Sequence, residues 1–259
     1  MVDISRKPGR ARRHNSRRHS DPPEYRNDSW GILEDGRRLL IHLELGNRES
    51  YESCLGFLRS LISRGLRAPV LVTSDGAPGM IRAIEEVFPT ALRQRCLFHK
   101  KQNVLAKVPD AERAEVGSFL NAVYWAPTPE MAQTLANEFV TKYERAQPSA
   151  VRCFLDDLAA CLAHLRCPEI HRKAIRTTNV IERSFEESRR RTKVIPRFFE
   201  ERSCIKLVYA ELLRAGQRSK RVRMSEIELK QLSMLRRQVE DERRRPAHTT
   251  SPRAKKKTA

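Results

Sequence analysis

The sequence contains no run approaching eighteen uninterrupted apolar residues, so no membrane span is expected. No apolar stretch follows its basic N-terminus, which argues against a secretory signal. Without secretion, its six cysteines read as reduced thiols rather than a disulfide framework. There is no Walker loop, no dinucleotide-binding glycine pattern and no Gly-x-Ser-x-Gly elbow, so the usual signatures of those chemistries are missing. No internal repeat is present. Acidic residues are also short, with Asp+Glu 32 against Lys+Arg 51 and a formal net charge of +19. That excess points to a polyanionic partner, nucleic acid first, because phosphate neutralisation is the commonest use of such charge. The competing reading is a basic protein whose charge lies in solvated arginine faces and in its ends.

What is present is enough for a core. The chain has 259 residues, 39% of them apolar, which allows one large domain or two small ones. Residues 1–28 read as a basic disordered arm, because Arg12, Arg13, Arg17 and Arg18 stand among Pro, Ser, Asn and His with little to bury. Trp30–Leu33 and Arg38–Leu45 are strand-like, and the Asp35-Gly36 pair between them signals a hairpin turn. A helical stripe of Tyr51, Leu55, Leu58 and Ile62 follows. The apolar run from Pro69 to Ser74 predicts a strand covered on both faces. A helix over about Gly79–Val87, a strand over Leu92–Phe98 and a helix over Gln102–Val108 complete a mixed α/β region at residues 29–108. Residues 109–170 change to helical periodicity, with Val151–Leu165 read as one of three helices, and form an expected helical insertion. Residues 171–215 read as a helical return to the core, and 216–259 as a charged helix over about Met224–Glu242 followed by a basic tail.

Few residues suggest chemistry on their own. Asp75 ends the buried strand, where α/β sheets build their sites, although an Asp-Gly turn or a helix cap accounts for it equally well. Glu182 stands three residues after Asn179, the spacing of a capping box, but its helix also carries Arg183, Arg189, Arg190, Arg191 and Lys193. Those cations suit a nucleic-acid strand passing a metal site, or simply a solvated face. Cys96 and His99 have a metal-like spacing, as do Cys161, His164 and Cys167. Structural zinc needs four ligands, and the second set lies among apolar helical residues where buried thiols are ordinary. The adjacent Asp156 and Asp157 point to different faces of a helix and read as surface.

Taken together, two blocks resemble the core of Mutator-like bacterial insertion-sequence transposases. The first is Ser74-Asp75-Gly76-Ala77-Pro78-Gly79, then Phe88-Pro89, then Gln94-Arg95-Cys96-x-x-His99-Lys100-x-x-Asn103-Val104. The second is Arg176-Thr177-Thr178-Asn179-x-Ile181-Glu182-Arg183, running into Arg189-Arg190-Arg191-Thr192-Lys193. The resemblance implies an RNase H-like mixed sheet with an inserted all-helical subdomain, here with basic disordered tails. It also implies an Asp-Asp-Glu triad holding two Mg²⁺ or Mn²⁺ ions, with Asp75 as second acid and Glu182 as third. Carboxylate oxygens suit such hard cations, and paired ions serve in-line displacement at phosphorus. Water would attack first at a transposon end, and the freed 3′-hydroxyl would then attack target DNA.

By the same resemblance Cys96 and His99 support the site structurally, and Trp125 is an aromatic near distorted DNA, a core tryptophan being the plain alternative. The expected partner is DNA, as transposon ends and target, with a homodimer or larger assembly at synapsis. The expected location is cytoplasmic, on the bacterial nucleoid. One element is expected to be missing. None of Asp3, Asp21 and Asp28 sits in an apolar run able to form the first, central strand, and Pro22-Pro23 excludes Asp21. The sequence therefore predicts a truncated, catalytically impaired transposase, with a non-catalytic basic DNA-binding protein as the alternative.

Overall fold

A computed structural model describes residues 1–8, 25–45, 50–178, 186, 190 and 201–244. Strands β1 (Val2–Pro8), β2 (Tyr25–Ile32), β3 (Arg38–Leu45), β4 (Leu71–Ser74) and β5 (Leu92–Arg95) make one sheet in the order β3-β2-β1-β4-β5. The first three are antiparallel neighbours, whereas β4 runs parallel to both β1 and β5. Parallel neighbours need crossovers. Helices α1 (Tyr51–Ser63) and α2 (Pro78–Val87) lie in the connections before and after β4. The β2–β3 turn forms where Asp35-Gly36 predicts it. Gly36 sits at φ +79°, Leu33 N–H donates to the Arg37 carbonyl at 2.9 Å, and the Asp35 carboxylate accepts from Arg37 N–H at 2.9 Å.

The first strand corrects the sequence reading. Residues 2–8, expected within a disordered arm, form β1 in the middle of the sheet, and β2 begins at Tyr25 rather than Trp30. Val2, Asp3 and Ile4 pair with Val72, Thr73 and Ser74 of β4, while the same strand pairs from Val2 to Pro8 with β2. The physical reason is that a middle strand gains ladders on both edges, and backbone pairing compensates for the short apolar stretch. Pro8 stands at its last position, where a missing N–H costs least. The ground for expecting a truncated and impaired enzyme, a missing first strand with no candidate acid, is thereby removed. The expected basic stretches at 9–24 and 245–259 lie outside the described residues.

Helices cover both faces of the sheet. Alternation along β4 sends Val72 into a cluster with Phe57, Leu58 and Leu61 of α1 and Met80 and Ile84 of α2. Leu71 points the other way, toward Ile175, Val222, Leu235 and Val239. Trp30 and Leu40 pack against Val208 and Leu212 of α9 (Glu201–Arg218), and Leu235 and Val239 belong to α10 (Glu226–Arg244). Between β5 and these helices come α3 (Leu97–Leu105), α4 (Arg113–Tyr124), α5 (Pro129–Tyr143), α6 (Pro148–Leu155), α7 (Leu158–Leu162) and α8 (Glu169–Ile175).

The insertion has its own core, in which Leu120, Tyr124, Phe139 and Phe154 are all buried. Phe139 and Phe154 stack with centroids 4.4 Å apart. Two boundaries differ from expectation. β5 stops at Arg95 and α3 starts at Leu97, so Cys96 is a helix N-cap rather than a strand residue. The single helix expected over Val151–Leu165 breaks at Asp156–Asp157, where Asp157 adopts φ +65° and receives a paired ion contact from Arg93 of β5. Asp157 is thus a docking residue and not a surface one.

Candidate active site

The carboxyl ends of β4 and β5 lie side by side, and the chain returning from the insertion is sewn across them. Cys96 N–H donates to the Ser74 carbonyl at 2.8 Å, and Leu97 N–H to the Arg176 carbonyl at 3.0 Å. The buried Thr73 hydroxyl donates to the Ile175 carbonyl at 2.7 Å. Thr178, also buried, directs its N–H and its hydroxyl to the Cys96 sulfur at 3.4 and 3.3 Å. Four contacts thereby fix residues 175–178 beside Asp75. Each of them uses a backbone group or small polar side chain that would otherwise be buried without a partner.

Asp75 follows β4 directly, half-buried, with one carboxylate oxygen accepting Ala77 N–H at 3.3 Å. It forms no ion pair among the described residues. Asp3 stands opposite Thr73, two residues ahead of Asp75, on the strand next to it. Two aspartates thus come to one end of adjacent parallel strands. Carboxylates from neighbouring strands supply the hard oxygen donors that a divalent cation requires, so this part of the site fits such a metal. Among the described residues no group of three or more His, Cys, Asp or Glu is placed to hold one. Glu182 lies outside them, as do Arg183, Arg189, Arg191 and Lys193, while Arg190 is helical and exposed.

Cys96 and His99 do come together. Burial alone would push the Cys96 thiol up, but the hydrogen bond and charge of His99, with Thr178, outweigh it and hold the thiol below its ordinary value. The second cysteine–histidine group is arranged differently. His164 is buried with its ring nitrogens 3.1 Å from the Cys161 carbonyl and 3.2 Å from the Tyr124 carbonyl. Desolvation, aided by the charges of Arg176 and Arg172, brings its pKa down to about 4, so the ring is neutral.

The insertion is locked to the sheet beside this edge. The buried Gln94 amide donates to the Cys161 carbonyl at 3.1 Å, and its oxygen accepts His164 N–H at 2.7 Å. Trp125 is no core residue. It is 58% exposed, and the Arg176 guanidinium lies 4.8 Å from its ring centroid, a cation–π contact. Burial depresses the Arg176 pKa. Sequence reasoning discarded Asp3 and passed over Gln94 and Thr178. The alternation Val2-Asp3-Ile4 was the available signal for the first of these.

The sequence profile described as "Transposase, Mutator family" matches residues 29–219. The chain is 40% identical over 164 residues to the transposase for insertion sequence element IS6120 of Mycolicibacterium smegmatis, covering 63% of this chain and 51% of that protein. It is 37% identical over 163 residues to the transposase for insertion sequence element IST2 of Acidithiobacillus ferrooxidans, covering 62% and 55% respectively. A third relative, the transposase for insertion sequence element ISRM5 of Rhizobium meliloti (strain 1021), is 34% identical over 180 residues, covering 70% and 45%. The chain therefore spans about half the length of the curated relatives it matches.

Proposed function

The chain belongs to the Mutator family of transposases, and from that premise we propose that it carries an RNase H-like core for metal-dependent DNA cleavage and strand transfer in moving an insertion sequence. The observation that carries this reading is the register of β1 with β4. It brings Asp3 to the strand beside the one that Asp75 terminates. The sheet order β3-β2-β1-β4-β5, with three antiparallel strands leading into two parallel ones, supports the RNase H-like assignment.

In this reading Asp3, Asp75 and Glu182 hold Mg²⁺ or Mn²⁺. When bound, the ions supply activation of an attacking oxygen and stabilisation of a leaving one at phosphorus. The chain's own residues supply position. Thr178, four residues before Glu182, is tied to Cys96, which orients the segment leading to the third acid. Cys96 and His99 serve this support. The Trp125–Arg176 pair offers an exposed π face and a cation at the junction of insertion and core, a combination suited to single-stranded or distorted DNA. Arg183, Arg189, Arg190, Arg191 and Lys193 supply phosphate contacts. The active assembly on two transposon ends is a homodimer or larger. No helix among the described residues is long and apolar enough to cross a membrane.

The test is nicking of supercoiled DNA by the purified chain in Mg²⁺, Mn²⁺ or EDTA. Cleavage is expected with either metal, none in EDTA, and a loss of at least about a hundredfold in Asp75→Asn with DNA binding kept. Metal-independent nicking, or nicking untouched by that substitution, would sink the reading.

A further inference from the structure

Arg95, at the end of β5, is the cation nearest in sequence to Cys96, and its placement is unusual. The side chain is 8% exposed. Its Nε is buried with no hydrogen-bond partner, and no carboxylate among the described residues pairs with it. The guanidinium lies over Gly76, the residue after Asp75. A Cβ placed on Gly76 would fall 0.5 Å from Nη1 and 1.7 Å from Cζ. Gly76 also holds φ +86°, a conformation that any larger residue adopts at a cost. The backbone is therefore bare where the guanidinium crosses it.

A buried, unpaired guanidinium is costly, because desolvation is not offset by a counter-charge. Such an arrangement makes sense where the counter-charge arrives with a ligand. Arginine presents a planar fork matched to phosphate oxygens, and it stays charged when desolvated. Here the fork sits one residue from Asp75, at the strand edge to which the proposed chemistry brings DNA.

We propose that Arg95, seated over Gly76, is a receptor for one backbone phosphate of DNA entering the Asp75 edge. This assignment rests on the reading of the chain as a DNA-cleaving transposase. Arg95 contacts the DNA backbone and reads no sequence. The free protein carries an uncompensated cation, and DNA relieves it.

The test uses the full chain, a 20-base-pair duplex and EDTA throughout, so that it does not depend on cleavage. Arg95→Gln is expected to bind DNA about tenfold more weakly at low salt, and to lower the slope of log affinity against log salt by about one phosphate's worth. Its melting temperature without DNA is expected to stay the same or rise, since a buried unpaired charge has been removed. An unchanged salt slope would overturn the proposal, as would a fall in melting temperature with binding intact. Should the variant fail to fold, the Arg95 Nε–H resonance of the unmodified chain is followed by NMR. A saturable shift with the duplex is expected. No shift, or a shift with inorganic phosphate but not with the duplex, would overturn the assignment. Loss of metal-dependent nicking in Asp75→Asn bears on the cleavage reading alone, and the salt slope in EDTA bears on Arg95 alone.

Discussion

Acid should loosen the joint between the helical insertion and the sheet, and His164 sets where. The ring is 1% exposed and faces the Cys161 and Tyr124 carbonyls, while its backbone N–H is held by Gln94. Its pKa falls from 6.5 to about 4, chiefly through desolvation. A depressed histidine pKa means that the unfolded chain takes up the proton first. Stability is then fully present above pH 6.5 and is lost as pH falls toward 4. A shift of that size corresponds to about 3 kcal/mol, from roughly 1.4 kcal/mol per pH unit. The comparison is with His164→Gln, which cannot titrate, by urea denaturation between pH 4 and pH 7.5. At pH 7 the unmodified chain should be the more stable of the two. That advantage should shrink by about 3 kcal/mol by pH 4, because carboxylates shared by both proteins cancel in the difference. Parallel stability profiles across this window would refute the claim that His164 is neutral and locked in the folded state.

Gly36→Ala should be severe for a surface turn. The added Cβ would lie 1.8 Å from the Val222 carbonyl oxygen at a residue already at φ +79°, and the same turn accepts Val222 N–H at 2.9 Å. A loss of about 3 kcal/mol in urea is expected, combining left-handed strain with displaced backbone. Phe154→Ala removes a fully buried ring stacked on Phe139 in the insertion. It should cost about 3–5 kcal/mol by the same assay, with the spread set by how far the cavity collapses.

Much of the α/β region was legible because its signals are local. Asp35-Gly36 specifies a turn, the run ending at Ser74 is apolar throughout a four-residue strand, and Tyr51, Leu55 and Leu58 recur at helical spacing. β1 was hidden because its evidence is not local. Arg6 and Lys7 look solvated in sequence, and only the ladders with β2 and β4 make the segment a strand. The same cause hid the break at Asp156–Asp157, since the left-handed Asp157 is held by Arg93, 64 residues away. Asp75 and the Cys96–His99 pair could be marked from their motif. Thr178, Gln94 and Arg95 could not, because their roles appear only when β5 and the returning chain are side by side.

The central claim is that β1 brings Asp3 to the edge where Asp75 ends β4, so that both serve one cation. Iron-directed cleavage tests this without relying on transposition. The full chain is incubated with Fe²⁺ and ascorbate, so that hydroxyl radicals cut the backbone next to a bound ion, and the fragments are sized by mass spectrometry. Cuts are expected beside Asp3, Asp75 and Glu182. They should be suppressed by excess Mg²⁺ and lost together in Asp3→Asn and in Asp75→Asn. Cuts near Asp75 that persist unchanged in Asp3→Asn, with none in β1, would contradict the account.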